Sequence, residues 1–513
     1  MKKFIVFGLT GLLIMAFSAT VYAQKLEFKG SGAMEATSFL YRNVAPGDGA
    51  ITTIFQGAGP LPTSGFRPDT PFITPNNSGA WDRTNDYMQY RGILRFDAIM
   101  SKELSGTFIF ELDSFRWGDP SGDRNRLGYW TADRAGIEVK NMYLDVGLPY
   151  FGIPVPMTAR IGIQPFGMRP QIFNIVDGTG ITGGIKIDPV TVGVYWAKAL
   201  EGKDATADDA DVYGLSLQAK LATITAGGYW FYYNMNTYPL NLVQSVYGVT
   251  GAGQNRADFH WLGLFADGKL GPVNLNFDFV YDTGKVERRL DPAIHDVDYR
   301  GWATQVKVDY PWEKFNFGVV GMYASGADLN KTSRSGLPGS TDIGTATKKV
   351  GSYVIPPGSE EWAAWGESMF TGCNFITATA LPVGMWPSLT TYPNQVSRGA
   401  IGGTWIAKLY ASVKATPWYK VTLQGLYIGD TTKHGNTLGD ARKLSGYLRD
   451  DKSIGWEFDL INEIQIYKNL KWSIGAGLLF AGDALDQYGG SIDNRAESPK
   501  DPWILATKLR YDF

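Results

Sequence analysis

Charged residues at every second position of otherwise apolar stretches are the first candidates for chemistry in this sequence. Around Lys307 and Asp309, the residues Trp302, Val306 and Tyr310 fill alternate positions. A period of two places the charges on one face of a β-strand and the apolar residues on the other. Because charges on a strand face need water there, the pattern predicts strands that separate an aqueous side from an apolar side.

The same phase, followed along the chain, gives a set of water-facing residues that would line the pore if the strands close into a barrel. The set is Arg91, Arg95, Asp97, Glu111, Asp113, Lys307, Asp309, Lys408, Lys414, Lys420, Glu457, Asp459, Glu463, Lys508 and Arg510. Its mixed sign argues against strong selectivity for anions or cations. If cations and acids group on opposite walls, they would create a transverse field. The alternative is a solvated wall whose charges pair internally.

The three histidines are the candidates for enzyme chemistry. His260 opens a predicted strand, whereas His295 and His434 lie in predicted loops, the latter close in sequence to Asp430 and Asp440. A histidine near an acid is common by chance, and the sequence has no Gly-x-Ser-x-Gly, phosphate-binding loop, dinucleotide fingerprint or metal-ligand cluster. We therefore predict that the protein is not an enzyme and needs no cofactor or metal.

The alternation predicts eighteen candidate strands, which must position the charged residues. Clear examples are 86–99, 104–116 and 417–429, whereas the first, 25–42, is weakly marked. The pattern changes phase near Asn141, which indicates a β-bulge. Strand boundaries read in this way carry an error of about 2–4 residues.

Long and short connections alternate along the chain. Short ones include 310–314 and 468–469, and long ones include 166–179 and 326–399. This alternation, with an even strand number, is typical of outer-membrane barrels. A soluble β-sandwich or propeller predicts neither the alternation nor aromatic residues at both ends of the apolar faces.

The connection 326–399 is the best candidate for a functional loop. Ordinary loops rarely exceed about 15 residues without a role. It contains Trp362, Trp365 and Trp386. We expect it to fold inward as a constriction or outward as a lid, unless it serves only cell-surface contacts.

The N-terminus predicts export from the cytoplasm. Lys2 and Lys3 precede a short apolar run, and Val21-Tyr22-Ala23 resembles a cleavage site, so residues 1–23 are expected to be a signal peptide. Residues 24–513 then form a single barrel domain. Beyond residue 23 no apolar run reaches 18 residues, so only a closed barrel could cross a membrane. With 48 basic and 50 acidic residues, nucleic acid is not an expected partner.

Two resemblances concern the C-terminal part. The ending Leu509-Arg510-Tyr511-Asp512-Phe513 resembles the terminal strand of Gram-negative outer-membrane proteins, which implies recognition by the barrel-assembly machinery through Phe513. The segments 455–460, 467–470 and 475–483 are similar to the closing hairpin of alginate-export-like eighteen-stranded porins. The exporter of that family has an arginine-rich lumen, and this sequence departs from that pattern.

We therefore expect an all-β protein, a transmembrane antiparallel up-and-down barrel of about eighteen strands in the bacterial outer membrane. The predicted function is that of a porin, a water-filled channel for passive diffusion of ions and small polar solutes. The alternatives are a sugar or polysaccharide channel of the alginate-export type and a structural or adhesive surface barrel. Tyr229, Phe231 and Tyr233 would favour sugars if they face the lumen, but their phase also allows them to face lipid. The sequence leaves open whether the barrel forms a homotrimer.

Overall fold

The computed structural model describes most of the predicted strands. The described residues are 26–42, 84–117, 126–127, 137–148, 155–201, 209–238, 255–288, 296–331, 348–356, 402–486 without 438 and 440, and 496–513 without 497 and 499. The predicted signal peptide 1–23 lies outside them, as do 332–347 and 357–399 of the long connection.

Within the described residues, eighteen long strands follow one another along the chain. They are β1 Glu27–Arg42, β2 Thr84–Ile99, β3 Leu104–Trp117, β4 Glu138–Leu148, β5 Met157–Pro165, β6 Asp177–Ile187, β7 Val190–Leu200, β8 Ala210–Leu221, β9 Ile224–Tyr238, β10 Asn255–Leu270, β11 Val273–Arg288, β12 Val297–Trp312, β13 Phe315–Ala324, β14 Thr404–Thr416, β15 Tyr419–Asp430, β16 Ser453–Tyr467, β17 Leu470–Ala481 and β18 Trp503–Asp512. Two short pieces, Arg126–Leu127 and Lys349–Val350, add to β3 and β12 in parallel.

Each long strand pairs antiparallel with its neighbours in chain order, and β18 pairs with β1. The pairing of the two ends continues to the last residue. Gly32 N–H donates to the Phe513 carbonyl at 2.8 Å, and Phe513 N–H donates to the Gly32 carbonyl at 3.0 Å. The sheet therefore closes on itself without an open edge. The prediction of an up-and-down barrel of about eighteen strands is confirmed.

The two faces of the barrel wall differ as the period of two requires. On β12, Trp302 and Val306 point outward and are 37% and 40% exposed, whereas Ala303 and Gln305 on the inner face are fully buried. Exposed apolar side chains recur on the outer face around the barrel. An outer apolar surface with every strand paired suits lipid, so the barrel is a transmembrane one. None of the helical structure in the described part of the chain is long and apolar enough to cross a membrane.

Short turns lie at one end of the barrel and long connections at the other. Two residues separate the paired strands at 222–223, 271–272, 313–314 and 468–469. Gly271 has a φ of +61°, a conformation that glycine adopts without steric cost. Following the convention of such barrels, we call the turn end periplasmic and the loop end extracellular.

Part of the inner face is apolar. Buried aromatic side chains from β9 to β12, among them Phe231, Phe259, Trp261 and Tyr299, belong to one continuous apolar cluster. Residues from two connections, 166–176 and 348–356, belong to the same cluster. The packed core of this protein therefore lies inside the barrel, against one side of its wall.

Candidate functional site

The predicted pore-lining residues share the inner face of the barrel wherever the structure describes their side chains. Lys307 and Asp309, for example, alternate with the outward Trp302 and Val306 of β12. Asp113 lies in β3, but its side chain is outside the described part of the structure. The inner face therefore carries both positive and negative side chains. Which of them form ion pairs depends on the register between neighbouring strands.

A buried glutamate joins the cations at the closing seam. Glu35 of β1 is 5% exposed and lies across from β18. Arg510 Nη1 is 2.5 Å and Lys508 Nζ 3.6 Å from Glu35 Oε1. Glu35 was not predicted as pore-lining. It lies at alternate positions with Ala33 and Thr37 on the inner face of β1, and this alternation in the sequence could have identified it.

A second glutamate, Glu111 of β3, lies between two cations. Arg91 Nε donates to Glu111 Oε1 at 2.5 Å, and Lys140 Nζ is 2.8 Å from Glu111 Oε2. Lys140 also contacts Asp177 at 3.3 Å. The predicted bulge near Asn141 lies here, because the register between β3 and β4 shifts beside it. The bulge allows Lys140 to reach an inner carboxylate.

The same wall continues with two more ion pairs. Arg95 Nε is 2.9 Å from Asp97 Oδ2, and Thr107 donates to Asp97 at 2.6 Å. Arg160 of β5 binds Asp145 of β4 through two bonds of 2.7 and 3.0 Å. We call the inner faces of β18 and β1–β5, with these paired residues, the charged wall. Cations and acids interleave along it.

A buried polar chain crosses β14, β15 and β16. Lys408 Nζ donates to Gln424 Oε1 at 3.3 Å, and Gln424 Nε2 donates to Asp459 Oδ2 at 2.6 Å. Asp459 and its neighbour on the same face, Glu457, are both buried. Towards the periplasmic turn, Glu463 accepts from Lys420 at 2.8 Å and also contacts Lys471.

Three inner residues, Lys307, Asp309 and Lys408, lie around the side chain of Tyr410 on β14. The Tyr410 hydroxyl donates to Asp309, and the ammonium groups of Lys307 and Lys408 lie 5.6 and 5.3 Å from the centroid of its ring. Lys414 is exposed and lies further along the same strand face. Tyr410 was not predicted, because a tyrosine in a strand fits the lipid interface equally well.

The connection 166–176, which we call the inner loop, is bound to the opposite wall by one arginine. Arg169 Nη2 donates to Asp278 Oδ2 at 2.7 Å and to Asp267 Oδ1 at 3.0 Å, and Nε and Nη1 bind the same two carboxylates. Phe173 stacks on Tyr229 with ring centroids 4.8 Å apart. The loop therefore lies against the inner faces of β9–β11 and not outside the barrel.

Residues 348–356 of the long connection, the inward segment, lie beside the inner loop. The Tyr353 hydroxyl donates to the Ile172 carbonyl at 2.5 Å, and Trp261 Nε1 donates to the Val354 carbonyl at 2.9 Å. Val354 N–H donates to Asp282 Oδ1 at 3.3 Å. The two connections and the wall thus form one packed unit across β10–β12.

A glycine of β12 makes this close approach possible. A Cβ at Gly301 would lie 2.5 Å from the Tyr353 backbone and 2.6 Å from Asp282 Oδ1. The Gly301 N–H also donates to Asp282 Oδ2 at 3.1 Å, so the buried carboxylate joins wall and segment. Only glycine leaves room for a second backbone here.

The structure resolves the phase of the aromatic residues on β9. Tyr229, Phe231 and Tyr233 face inward and are buried, in contact with Phe173 and Trp261. Their rings are therefore covered by protein. They offer no free face on which a sugar ring could stack.

The described histidines lie apart from the charged wall. His260 faces outward and stacks on Tyr232 with ring centroids 4.6 Å apart. His434 contacts Asp328 at 2.8 Å, an acid that is distant from it in sequence, and Asp440 lies outside the described residues. His295 lies outside the described residues. Among the residues that the structure describes, no group of three or more His, Cys, Asp or Glu could hold a metal ion.

Asp328 itself lies in an extracellular loop, and its carboxyl group has a shifted pKa. Burial raises the pKa of its carboxyl group, but hydrogen bonds from Lys331 and His434 outweigh burial and lower that pKa to about 2. The contact with Lys331 Nζ is 3.0 Å long. These bonds fasten the start of the long connection to the loop that follows β15.

Comparison with known proteins gives similar structures but no sequence relatives. The fold is similar to OccK11 (OpdR) of Pseudomonas aeruginosa, at 10% identity and a TM-score of 0.46, covering 95% of this chain and 96% of that one. A BenF-like porin from Pseudomonas fluorescens Pf-5 is 8% identical with a TM-score of 0.47, covering 95% and 98%. Pseudomonas aeruginosa OpdK with vanillate is also 8% identical with a TM-score of 0.47, covering 94% and 98%. No family model matches the chain, and no curated protein matches its sequence.

Proposed function

We propose that the protein is an outer-membrane porin, which lets ions and small polar solutes diffuse passively through the barrel. One observation carries the proposal: a closed barrel that is apolar outside has an inner wall of paired charges. Charged side chains on an inner wall favour water and polar solutes over lipid. The outer leaflet, the periplasm and small polar solutes are accordingly its expected surroundings and partners.

The proposed route follows the charged wall. The opposite side of the barrel interior is filled by the inner loop and the inward segment, which pack against buried aromatic residues. A solute would therefore pass beside Arg91, Arg95, Lys508 and Arg510 and their acids. Because each of these cations has a carboxylate partner, we expect only a weak preference between anions and cations.

We further propose that the connection 326–399 narrows the channel. Within its described part, Val350 and residues 352–356 are buried inside the barrel, and Val354 is hydrogen-bonded to β10 and β11. A loop held in this way reduces the open cross-section without closing it. The inner loop contributes to the same constriction from the other side of the packed unit.

The alternatives have less support. An exporter of an anionic polymer would need a lumen dominated by cations, whereas acids interleave with cations here. The solved structures named above lend no support to the alginate-export resemblance. A sugar channel would need exposed aromatic rings, and the inward rings of β9 are buried.

Assembly through the C-terminus belongs to the same proposal. Phe513 pairs with Gly32 through two backbone hydrogen bonds, so the terminal residue takes part in the seam that closes the barrel. This position supports recognition of the last strand by the barrel-assembly machinery. A homotrimer stays a prediction, and the mass of the folded protein in detergent tests it.

The test is single-channel recording of the refolded protein in a planar bilayer with a salt gradient. We expect stable conductance steps and a reversal potential near zero. Arg95→Gln with Lys508→Gln should shift the reversal potential towards cation preference, because the wall loses two positive charges: Asp97 then lacks its arginine, and Glu35 keeps Arg510 as its cation. Absence of conductance from a folded, heat-modifiable barrel would contradict the proposal and favour a structural or adhesive role.

A further inference from the structure

The periplasmic mouth of the barrel has inner-face cations without an acidic partner. Most cations of the inner face lie beside a carboxylate, as Arg95 does beside Asp97. The ion pairs of the described residues include none of four lysines, Lys186, Lys220, Lys269 and Lys414. Each of the four lies within three residues of the end of its strand at a periplasmic turn. Lys414 is on β14, whereas the other three lie together on β6–β10, and we call these three the mouth lysines.

The mouth lysines share one sequence pattern. Each is the last but one residue of its strand, β6, β8 or β10, and is followed by isoleucine or leucine and then by a two-residue turn. Ile187, Leu221 and Leu270 point outward and are more than half exposed on the apolar outer face. Because successive side chains of a strand point to opposite faces, the lysines before them point into the barrel. Asp267, two residues before Lys269, binds Arg169 of the inner loop, as a residue of the inner face must.

The strand register sets the distance between the mouth lysines. Lys186 lies opposite Thr191, which lies opposite Gln218, two residues before Lys220. The same step leads from Lys220 through Thr225 and Asp267 to Lys269. A step of two strands and two residues separates successive Cα atoms by about 12 Å. A lysine side chain reaches about 6 Å from its Cα atom, so neighbouring ammonium groups can approach one anion between them.

The acids around the mouth lysines are bound by other groups. Their partners are Arg160 for Asp145, Arg169 for Asp267 and Asp278, and Tyr410 and Asn316 for Asp309. The side chain of Asp188, in the turn after β6, is exposed and has no hydrogen bond or ion pair among the described residues. Three lysines therefore face one carboxylate without a partner, and this sector of the rim is positively charged.

We propose that the mouth lysines bind small multivalent oxyanions where the channel opens into the periplasm. The inference rests on the proposed channel function and names a class of solute for the periplasmic end of the channel. Ammonium groups donate charge-assisted hydrogen bonds to oxyanions, and like charges along a concave wall raise the local concentration of the opposite ion. Because the Coulomb energy is proportional to the charge of the ligand, a divalent anion gains twice as much as a monovalent one. Sulfate and phosphate share this chemistry.

The test is the block of single-channel current by sulfate, added first to one compartment and then to the other. We expect sulfate to reduce the current of the refolded full-length protein at a lower concentration from one side than from the other. At about 0.1 M salt, one lysine about 7 Å from a divalent anion in water strengthens binding roughly threefold. Lys186→Gln with Lys220→Gln and Lys269→Gln, the mouth variant, should therefore need about 25-fold more sulfate and lose the difference between the two sides.

The matched control removes the same charge from the same end of the barrel. Lys102→Gln with Lys314→Gln and Lys468→Gln, the turn variant, replaces three exposed lysines of periplasmic turns. The turn variant should respond to sulfate like the parent protein. Lys220→Gln alone should need about threefold more sulfate, and this single change tests the proposal if the mouth variant does not refold.

Four outcomes would overturn the proposal. Equal sensitivity of the mouth variant and the parent protein would show that the mouth lysines do not bind the anion. An equal loss in the turn variant would assign the effect to the total charge at this end. Acetate as effective as sulfate would show general attraction of anions without a multivalent site. Conductance steps on which sulfate acts equally from both sides would leave the channel function intact and refute only the site, whereas a folded barrel without conductance would refute both.

Discussion

Arg169→Ala should release the inner loop from the barrel wall. The guanidinium group of Arg169 contacts two carboxylates of β10 and β11, Asp267 and Asp278. Alanine at this position removes these bonds and leaves Asp278, whose side chain is 4% exposed, without its cation. An unpaired buried carboxylate lowers the stability of the docked arrangement.

The magnitude follows from the burial of the two pairs. Removing one partner of a buried ion pair costs about 3–5 kcal/mol, whereas an exposed pair contributes about 0–1 kcal/mol. Asp267 is 37% exposed, so its ion pair with Arg169 contributes little to the stability of the docked loop. Because water reaches the channel side of the loop, we take the lower end of the range for a buried pair, so Arg169→Ala should destabilise the docked loop by about 3 kcal/mol. Since about 1.4 kcal/mol corresponds to a factor of ten, the undocked state should become roughly 100-fold more populated.

The assay is single-channel recording combined with heat-modifiability on gels. We expect Arg169→Ala to show more frequent transitions between conductance levels and a larger mean conductance, with an intact barrel. Asp278→Asn in the same chain should restore part of the docking, because the orphaned charge is then removed. Arg95→Ala is the matched control, since Arg95 pairs with Asp97 on its own strand and not with the inner loop.

Wild-type current noise in Arg169→Ala would refute the reasoning, provided that the barrel is folded. It would mean that the aromatic contacts of Phe173 hold the loop without the arginine. If Arg95→Ala raised the current noise as much as Arg169→Ala does, the explanation by release of the inner loop would also be refuted. The effect would then come from loss of any inner cation and not from release of the loop.

Three further predictions concern the inward segment, the seam and the extracellular loops. Gly301→Ala should displace the inward segment and raise the conductance, while Gly321→Ala, whose Cβ would meet nothing within 4 Å, should leave it unchanged. Gly32→Ala should lower the refolding yield measured on gels, because its Cβ would lie 2.5 Å from a backbone carbonyl, whereas Gly30→Ala on the same strand meets nothing within 4 Å. The pKa of Asp328 is depressed to about 2, so its bonds stabilise the loops above about pH 4, and that stability is lost as the pH falls towards 2. Limited proteolysis between pH 5 and 2 should show the loss, and Asp328→Asn should be equally sensitive throughout.

Most of the fold could be predicted from the sequence because the period of two is a local signal. The strand expected at 86–99 is Thr84–Ile99, and the strand expected at 417–429 is Tyr419–Asp430. Each strand carries its own phase, and lipid on one side enforces it along the whole length. Neighbours in an up-and-down barrel follow chain order, so the strand order required no long-range information.

The partners of the candidate site could not be predicted in the same way. Arg169 lies in a connection without periodicity, and its carboxylates are 98 and 109 residues away. The sequence predicts only a long connection at 166–179, whereas in the structure residues 166–176 fold into the barrel. Glu35 was missed because the small residues around it weaken the strand signal of β1. The contacts of Arg169 depend on tertiary packing, whereas Glu35 was missed only because the local signal is weak.

The location of the inner loop nevertheless has a cause that a sequence can reveal. In β9 and β10 both faces are apolar or aromatic: Tyr229 and Phe231 face inward, while Trp230 and Leu262 face outward. Inward aromatic rings in a water-filled barrel would expose apolar surface, at about 25 cal/mol for each Å². A chain with such strands must therefore supply its own cover, and here the inner loop and the inward segment provide it. Strands of a predicted barrel that are apolar on both faces thus predict an inward-folded connection, and the remaining polar wall predicts the path of the solute.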